Sequence, residues 1–297
     1  ILENFPANFE IDIDELSSFM QRRAPGRDEF STPRKESDKI NFTEGLVHGV
    51  TTGKKIVGVI SNTDVRSQDY GKLRTIPRPG HADFGQWVKF GFIPPGGGSN
   101  SGRMTALLCA VGGICKQYLR EMGVELSARI VSIAGREDGF EESIINAKNQ
   151  GDSVGGVVQC VVSGVRAGLG GALFEGLESS ISAGVFAIPG VKGIEFGNGF
   201  CAANLKGSQN NDAFRAVDGK VVATSTRHGG ILGGFSTGKN ISFNVAFKPT
   251  PTIFIEQESV DLSSMQNSIS LLPGRHDPCI ARRSLPVVEA VSAFAIL

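Results

Sequence analysis

The chain has 297 residues, of which 40% are hydrophobic and 20% charged, and its 30 basic residues balance its 30 acidic ones. This composition is typical of a globular protein that is long enough to bury a large core. A net charge of zero argues against binding to nucleic acid or to an anionic membrane, because both need a basic excess. No apolar run approaches the roughly 20 residues that a membrane span requires.

The first half of the chain predicts two helices, separated by strands and a long basic loop. Residues 9–26 predict a short strand and then a helix that ends at Pro25-Gly26. Residues 40–64 predict two strands joined by a Thr-Thr-Gly turn. Residues 65–84 predict an irregular loop, and 104–123 predict the strongest helix. Gly112-Gly113 in the middle of that helix would cost stability, so we expect close packing there.

The second half continues the mixture of helices and strands. Residues 141–151 and 171–188 predict helices, whereas 153–165 predict a strand. ISFNVAFKPTPTIF, residues 241–254, alternates apolar and polar side chains until KPTPT breaks the pattern.

A final helix is predicted over 284–297, with Ser284 near its N-cap and Pro286 in its first turn. There is no regular βαβ alternation, no internal repeat and no linker. We therefore expect one α/β or α+β domain that spans residues 1–297. The chain begins without Met and ends inside an apolar run, so we expect further residues at both ends.

The cysteine count is odd and no CxxC pair occurs, which predicts reduced thiols of a cytoplasmic protein and neither a disulfide framework nor a zinc site. The five are Cys109, Cys115, Cys160, Cys201 and Cys279. His48 in an alternating strand and His228 beside a Gly-rich turn have no acidic cluster at ligand spacing, so we expect no metal.

Two glycine-rich segments are candidates for anion binding. GGGSNSGR, residues 96–103, directly precedes the strongest helix, where backbone N–H groups, Ser hydroxyls and Arg103 would favour an anion. A flexible loop with a capping Ser is the alternative. GGFSTGKN, residues 233–240, departs from a phosphate-binding P-loop, because Asn240 replaces Ser or Thr and a strand pattern follows.

Two loops carry candidate acid–base residues. His81 follows Arg78 in a basic loop, where it could act as a general acid beside an anion or be merely structural. In GRHDPC, residues 274–279, Arg275 could hold an anion and Asp277 could accept a proton. At least one of Arg282 and Arg283 is expected to be a solvated charge that flanks the final helix.

Motifs along nearly the whole chain occur in the order typical of one family. They are RRAPGRDEFSTPRKESD (22–38), NTDVRSQDY (62–70), RPGHAD (78–83), GGGSNSGR (96–103), DSVGG (152–156), VKGIEFGNGF (191–200), GGILGGFSTG (229–238), FKPTPTI (247–253) and GRHDPCIARRSLPVVEA (274–290). Each motif is weak alone, but the ordered set resembles chorismate synthase.

The resemblance implies an α+β fold, a single-domain β-α-β sandwich in which helices pack between antiparallel sheets, assembled as a homotetramer. It implies a cytoplasmic lyase that converts 5-enolpyruvylshikimate 3-phosphate to chorismate and phosphate by 1,4-elimination, the last common step of the shikimate pathway. It also implies reduced FMN as cofactor, with NADPH as a reductant in some members. The alternative is a non-catalytic flavin- or phosphate-binding relative.

The resemblance also assigns residues to roles. It implies that His81 donates a proton beside the flavin and that Asp277 assists proton removal. Substrate binding would fall to three arginines, Arg78, Arg103 and Arg275. Flavin contacts would fall to Arg34, Ser99, Asn100, Ser101, Pro189, Gly190, Gly233, Lys248, Pro249, Thr250, Pro251, Thr252 and Arg275.

Three departures from the family pattern stand out. An early FGESHG motif, which carries a second catalytic His, is absent, and we expect it upstream of Ile1. The common RSSARE is SNSGRM here, so Ser99 and Met104 replace an Arg and a Glu. The stretch between VSIAG and REDGF is shorter than in most members, which we also interpret as missing residues.

Overall fold

A computed structural model describes residues 1–26, 28, 30–32, 38–61, 75–271 and 276–297. The predicted binding residues Arg34 and Arg275 therefore lie outside the described residues. None of the helices in these ranges has the length and apolar character that a bilayer crossing needs.

The largest sheet has four antiparallel strands in the order β6-β7-β13-β8. These strands are β6 (Glu125–Ile133), β7 (Gly156–Ser163), β13 (Ile241–Phe247) and β8 (Val191–Phe196). Strand β13 alternates between buried and half-buried residues along its whole length, as its sequence pattern predicts. Cys160 pairs with Phe243 in the register of β7 and β13, and both are buried, so this face of the sheet covers the core.

Four helices pack on one another beside this sheet. They are α1 (Ile13–Arg23), α3 (Thr105–Glu121), α5 (Leu177–Phe186) and α7 (Ala281–Ile296). Helix α7 is buried along most of its length and contacts α1, α3, α5, β6 and β7. A Cβ built on Gly112 of α3 would lie 2.2 Å from the carbonyl oxygen of Ala290 in α7. The two glycines in α3 therefore permit the close packing that the sequence predicted.

A second, smaller sheet lies on the other side of the helices. It contains β1 (Ala7–Glu10), β4 (Val50–Thr52) and β3 (Leu46–Val47), all antiparallel. Phe9 of β1 packs edge-on against Tyr118 of α3, with ring centroids 5.3 Å apart. Helices thus lie between two antiparallel sheets, which confirms the predicted α+β sandwich.

The remaining elements are short and surround this sandwich. Strands β2 (Ile40–Glu44) and β5 (Val57–Ile60) pair with each other, as do β9 (Phe214–Val217) with β10 (Lys220–Ala223), β11 (Ile231–Leu232) with β12 (Phe235–Ser236), and β14 (Gln257–Asp261) with β15 (Gln266–Ser270). The other helices are α2 (Asp83–Phe90), α4 (Phe140–Asn149) and α6 (Gly207–Asn210).

Two local predictions were wrong. Helix α7 begins at Ala281, so Ser284 is inside it rather than at its N-cap, and its hydroxyl donates to the carbonyl of Ile280 at 2.8 Å. Pro286 accordingly lies beyond the first turn. His48 is not in a strand: it has a φ of 51° in the turn between β3 and β4. The predicted two strands are four, with Thr51 and Thr52 inside β4 and Gly53 in the connection to β5.

Candidate active site

The loop before α2 closes on itself through Asp83. Arg78 donates to this carboxylate from Nε at 2.6 Å and from Nη2 at 2.7 Å, and its backbone N–H donates at 3.0 Å. Nδ1 of His81 lies 3.0 Å from the same carboxylate. Asp83 is fully buried and Arg78 is 9% exposed, whereas the side chain of His81 is 16% exposed. The loop is therefore fixed by a buried ion pair, and His81 is the most exposed of the three side chains.

Asp83 remains ionised in spite of its burial. Burial alone would raise the pKa of this carboxyl, but the hydrogen bonds from Arg78 and His81 outweigh it and hold the pKa well below its usual range. A permanent negative charge thus faces the imidazole of His81.

The KPTPT segment leaves β13 and packs against this loop. The ammonium of Lys248 donates to the carbonyl of Gly80, and its backbone N–H donates to the carbonyl of Gly190 at 2.9 Å. Burial and the charge of Lys192 lower the pKa of Lys248. Gly190 has a φ of 95°, a conformation that favours glycine. Gly80, Gly190 and Lys248 therefore meet, although they are far apart in the chain.

Among the described residues, the backbone carbonyl of Thr250 has a hydrogen-bond partner and its side-chain hydroxyl has none. Its carbonyl accepts a hydrogen bond from the hydroxyl of Ser153 at 2.7 Å. Its own Oγ1 is buried and has no hydrogen-bond partner among the described residues. A buried hydroxyl without a partner costs free energy, so Thr250 Oγ1 is suited to a hydrogen bond with a ligand.

Asp277 is held by donors from two other segments. Its Oδ1 accepts from the backbone N–H of Thr32 at 2.8 Å, and its Oδ2 accepts from Nη1 of Arg283. The Nε of Arg283 donates in turn to the carbonyl of Arg23 at 2.9 Å, at the end of α1. Arg283 is therefore a positioned side chain, whereas Arg282 forms ion pairs with Asp28 and Glu141 nearer the surface.

Further contacts join the Asp277 loop to the KPTPT segment. The carbonyl of Pro278 accepts from the backbone N–H of Val154, next to Ser153. The ring of His276 lies 5.7 Å from the ring of Phe254. A small cavity where the KPTPT segment meets the loop before α2 and the β14–β15 hairpin is lined by Arg78, Pro79, Pro251, Thr252, Ile253, Ile255, Gln257 and Ser270. The structure thus brings His81, Lys248 and the Asp277 loop to the same region of the fold.

The glycine-rich segment before α3 is shaped by Ser101. Its hydroxyl oxygen accepts from the backbone N–H of Arg103 at 3.3 Å and from Nε of Arg103 at 3.4 Å. Ser99 and Asn100 are exposed in the preceding 3-10 turn. These side chains lie at the N-terminal end of α3, as predicted, where an anion is favoured.

Gly233 occupies the turn between β11 and β12, apart from the contacts just described. No atom lies within 4 Å of the position that its Cβ would take, and its φ is 61°. The neighbouring Gly234 accepts a hydrogen bond from the backbone of Leu177 at the start of α5. Nothing in these contacts brings Gly233 to His81 or Asp277.

The sequence analysis gave no role to Asp83 and left open which of Arg282 and Arg283 is solvated. Asp83 is the last residue of the RPGHAD motif, and an acid two residues after a candidate catalytic His was a usable signal. The orientation of Arg283 could not be predicted, because the carbonyl that fixes its Nε belongs to Arg23 at the end of α1. Within the described ranges, no group of three or more His, Cys, Asp or Glu side chains is arranged to hold a metal.

The comparisons with known proteins agree with the ordered motifs. The sequence profile of the chorismate synthase family matches residues 1–297. The chain belongs to the chorismate synthase family. The chorismate synthase of Thermococcus kodakarensis is 40% identical, with 100% of this chain and 90% of the relative covered. That of Lancefieldella parvula is 38% identical, with 100% and 89% covered.

A crystal structure of chorismate synthase has the same fold. It matches with a TM-score of 0.73 over 99% of this chain and 84% of the other, at 23% sequence identity. The family resemblance inferred from the motifs and the predicted fold class are therefore both confirmed. In this chain of the chorismate synthase family, the loop of His81, the KPTPT segment and the Asp277 loop together form the candidate active site.

Proposed function

We propose that the protein is a lyase that converts 5-enolpyruvylshikimate 3-phosphate to chorismate and phosphate by 1,4-elimination in the presence of reduced FMN. The observation that carries this proposal is the match to the chorismate synthase family over residues 1–297. The geometry supports it, since a half-buried histidine and a positioned carboxylate lie in loops that share the KPTPT segment.

The described residues fit a flavin with a phosphate group. Lys248 supplies a positive charge, and Thr250 Oγ1 is a buried hydroxyl with no partner in the described chain. Pro249, Pro251 and Thr252 continue the same segment. When bound, reduced FMN would supply electron density transiently and recover it, because the elimination itself involves no net redox change.

The remaining chemistry falls to side chains. Loss of phosphate breaks a carbon–oxygen bond, and a ring hydrogen must leave as a proton. His81 serves as the proton donor in the site, and Asp277 assists removal of the ring proton. Arg103 at the N-terminal end of α3 binds an anionic group of the substrate, which carries a phosphate and two carboxylates. Arg34 and Arg275 are proposed to add contacts to flavin and substrate.

The oligomeric state, compartment and flavin reductant are part of the same proposal. The family resemblance supports a homotetramer, which light scattering of the purified protein tests directly. Five free cysteines support a cytoplasmic location. Reduced FMN comes either from NADPH through the protein itself or from flavin reduced elsewhere.

The decisive experiment measures phosphate release from 5-enolpyruvylshikimate 3-phosphate by the full-length protein under anaerobic conditions with chemically reduced FMN. We expect release that depends on reduced flavin. A parallel reaction with oxidised FMN and NADPH determines whether the protein reduces its own flavin.

The control reaction contains oxidised FMN without a reductant and should release no phosphate. A folded protein that binds FMN but releases no phosphate with reduced flavin would contradict the lyase. That outcome would favour the alternative, a non-catalytic flavin- or phosphate-binding relative.

A further inference from the structure

Asp83 is the most completely buried charged group near His81, and nothing in the proposed reaction uses it directly. Its side chain has an exposed fraction of 0%, and both carboxylate oxygens accept hydrogen bonds from Arg78. Its Oδ1 also lies 3.0 Å from Nδ1 of His81. A buried carboxylate that contacts a more exposed histidine is suited to orienting the ring.

Two groups compete for Nδ1 of His81. Asp83 Oδ1, at 3.0 Å, can accept a hydrogen bond from it, whereas Arg78 Nη2, at 3.2 Å, can only donate one to it. Arg78 Nη2 already donates to Asp83 at 2.7 Å. A proton-donating histidine is an imidazolium, in which both nitrogens carry hydrogen. In that state Nδ1 must donate, and Asp83 is the acceptor in reach.

The opposite nitrogen has no such partner. No described residue forms a hydrogen bond with Nε2 of His81, and the side chain is 16% exposed. If the hydrogen on Nδ1 stays in the hydrogen bond to Asp83, Nε2 is the nitrogen that releases and regains a proton.

We propose that Asp83 is a positioning residue, which retains the Nδ1 hydrogen of His81 and thereby makes Nε2 the nitrogen that exchanges the proton. This inference rests on the proposed role of His81 in the lyase. Asp83 begins α2 and also accepts from the backbone N–H of Arg78 at 3.0 Å, so the carboxylate is fixed by its own loop. It does not touch the substrate; it acts through the imidazole.

The same contacts give Arg78 a role besides the substrate binding that the family resemblance implies. Its Nε and Nη2 are both directed at Asp83, and the residue is 9% exposed. Arg78 balances the buried charge that Asp83 needs in order to stay ionised. Arg78→Lys keeps a positive charge beside Asp83 but loses the two-point contact, so it should lower kcat less than Asp83→Asn does.

The first test reads the tautomer of His81 without substrate or flavin. Nitrogen NMR of the protein labelled with ¹⁵N-histidine distinguishes hydrogen on Nδ1 from hydrogen on Nε2, and His81→Ala identifies the signal. In the neutral ring we expect the hydrogen on Nδ1. Asp83→Asn should lose this preference, whereas Glu289→Gln, which removes another buried carboxylate bound by an arginine, should leave the His81 signal unchanged.

The second test is a double-mutant cycle on turnover. Asp83→Asn should lower kcat by at least about tenfold and by no more than His81→Ala, with KM nearly unchanged, since general acid catalysis contributes roughly 10²- to 10⁴-fold. In the His81→Ala background, Asp83→Asn should lower kcat no further. Losses that multiply would mean that Asp83 acts independently of His81, and would overturn the proposal.

The two tests separate this inference from the function on which it rests. If His81→Ala retains full turnover, the role of His81 in the lyase fails whatever the tautomer. If His81→Ala is impaired but Asp83→Asn keeps the native tautomer of His81, the inference about Asp83 fails, while the role of His81 in the lyase stands. If Asp83→Asn does not fold, Arg78→Lys provides the test, because it retains Asp83. In that variant we still expect the neutral ring of His81 to carry its hydrogen on Nδ1. Hydrogen on Nε2 instead would overturn the proposal.

Discussion

Arg283 donates a hydrogen bond from Nη1 to Oδ2 of Asp277, across the first turn of α7. The two side chains are 17% and 14% exposed, so the pair is only partly screened by water. Because the Nε of Arg283 is fixed by the carbonyl of Arg23, the carboxylate is oriented by the junction of α1 and α7.

Replacing Arg283 by Lys should impair turnover while the fold persists. Lys keeps the charge but loses the planar fork that reaches Asp277 and the Arg23 carbonyl together. A displaced catalytic group costs roughly 10²-fold in rate, so we expect kcat to fall by that order with a small change in KM. Steady-state phosphate release measures both constants.

The neighbouring arginine provides the matched control. Arg282 pairs with Asp28 at 3.2 Å and with Glu141 at 3.3 Å, and its side chain is 29% exposed. Arg282→Lys should leave kcat nearly unchanged, since exposed ion pairs contribute about 0–1 kcal/mol. Equal effects of the two substitutions would contradict the positioning role of Arg283.

Glu289→Gln should destabilise the fold. The side chain of Glu289 is 2% exposed and accepts from Arg22, Lys116 and the backbone of Ala128. Losing one partner of a buried pair costs roughly 3–5 kcal/mol, but Arg22 is 39% exposed, so we expect a loss of about 1–3 kcal/mol. Urea unfolding at pH 7 measures it, and Glu15→Gln, in an exposed pair with Arg120, should cost about 1 kcal/mol or less.

The effect of Glu289 depends on pH in a definite direction. Burial would raise the pKa of this carboxyl, but hydrogen bonds and charges from Arg22 and Lys116 lower the pKa below its ordinary value of 4.5. Its stabilising contribution is therefore complete above that value and is lost as the pH falls through the lower folded-state pKa. The difference between wild type and Glu289→Gln should shrink below about pH 4.5, and a difference that grows there would contradict this assignment.

Gly112→Ala should destabilise the protein, although Ala favours helices by about 1 kcal/mol. The added methyl would lie 2.2 Å from the carbonyl oxygen of Ala290, so α3 and α7 would have to separate. Overpacking of this kind costs roughly 1–3 kcal/mol or more. Gly85→Ala in α2 is the control: no atom lies within 4 Å of its Cβ position, so thermal unfolding should show a stability equal to or above wild type.

Thiol reactivity should distinguish Cys201 from the other four cysteines. Burial raises the pKa of Cys109, Cys115 and Cys160 to about 12 and also raises the pKa of Cys279. Cys201 is exposed. A disulfide reagent at pH 8 should label one thiol in the native protein and five after denaturation, and Cys201→Ser should abolish the native reaction. Rapid labelling of that variant would contradict the burial.

The long periodic segments could be predicted from the sequence, and the helix ends and short hairpins could not. Strand β13 and helix α3 follow from their own alternation and apolar pattern. The start of α7 does not, because tertiary contacts of its first turn, such as that of Arg283 with the carbonyl of Arg23 in α1, override the local signals of Ser284 and Pro286.

The candidate site divides in the same way. Motifs indicated His81, Lys248 and Asp277 as candidates, because ionisable side chains in predicted loops can be recognised from the sequence. Their partners depend on the fold: Ser153 binds Thr250 from a distant segment, and Arg283, although close to Asp277 in the chain, is oriented toward it by the distant carbonyl of Arg23. Asp83 was the exception, since its proximity to His81 is local.

The contact between Lys248 and the carbonyl of Gly80 joins residues that are 168 positions apart in the chain. Contacts of such high sequence separation form late in folding, because closing long loops must be compensated by the rest of the native packing. Partly folded chains with intact helices would thus still lack the site. Catalytic competence should arise only when the whole domain has folded, and a single cut between β7 and β13 would separate the halves of the site.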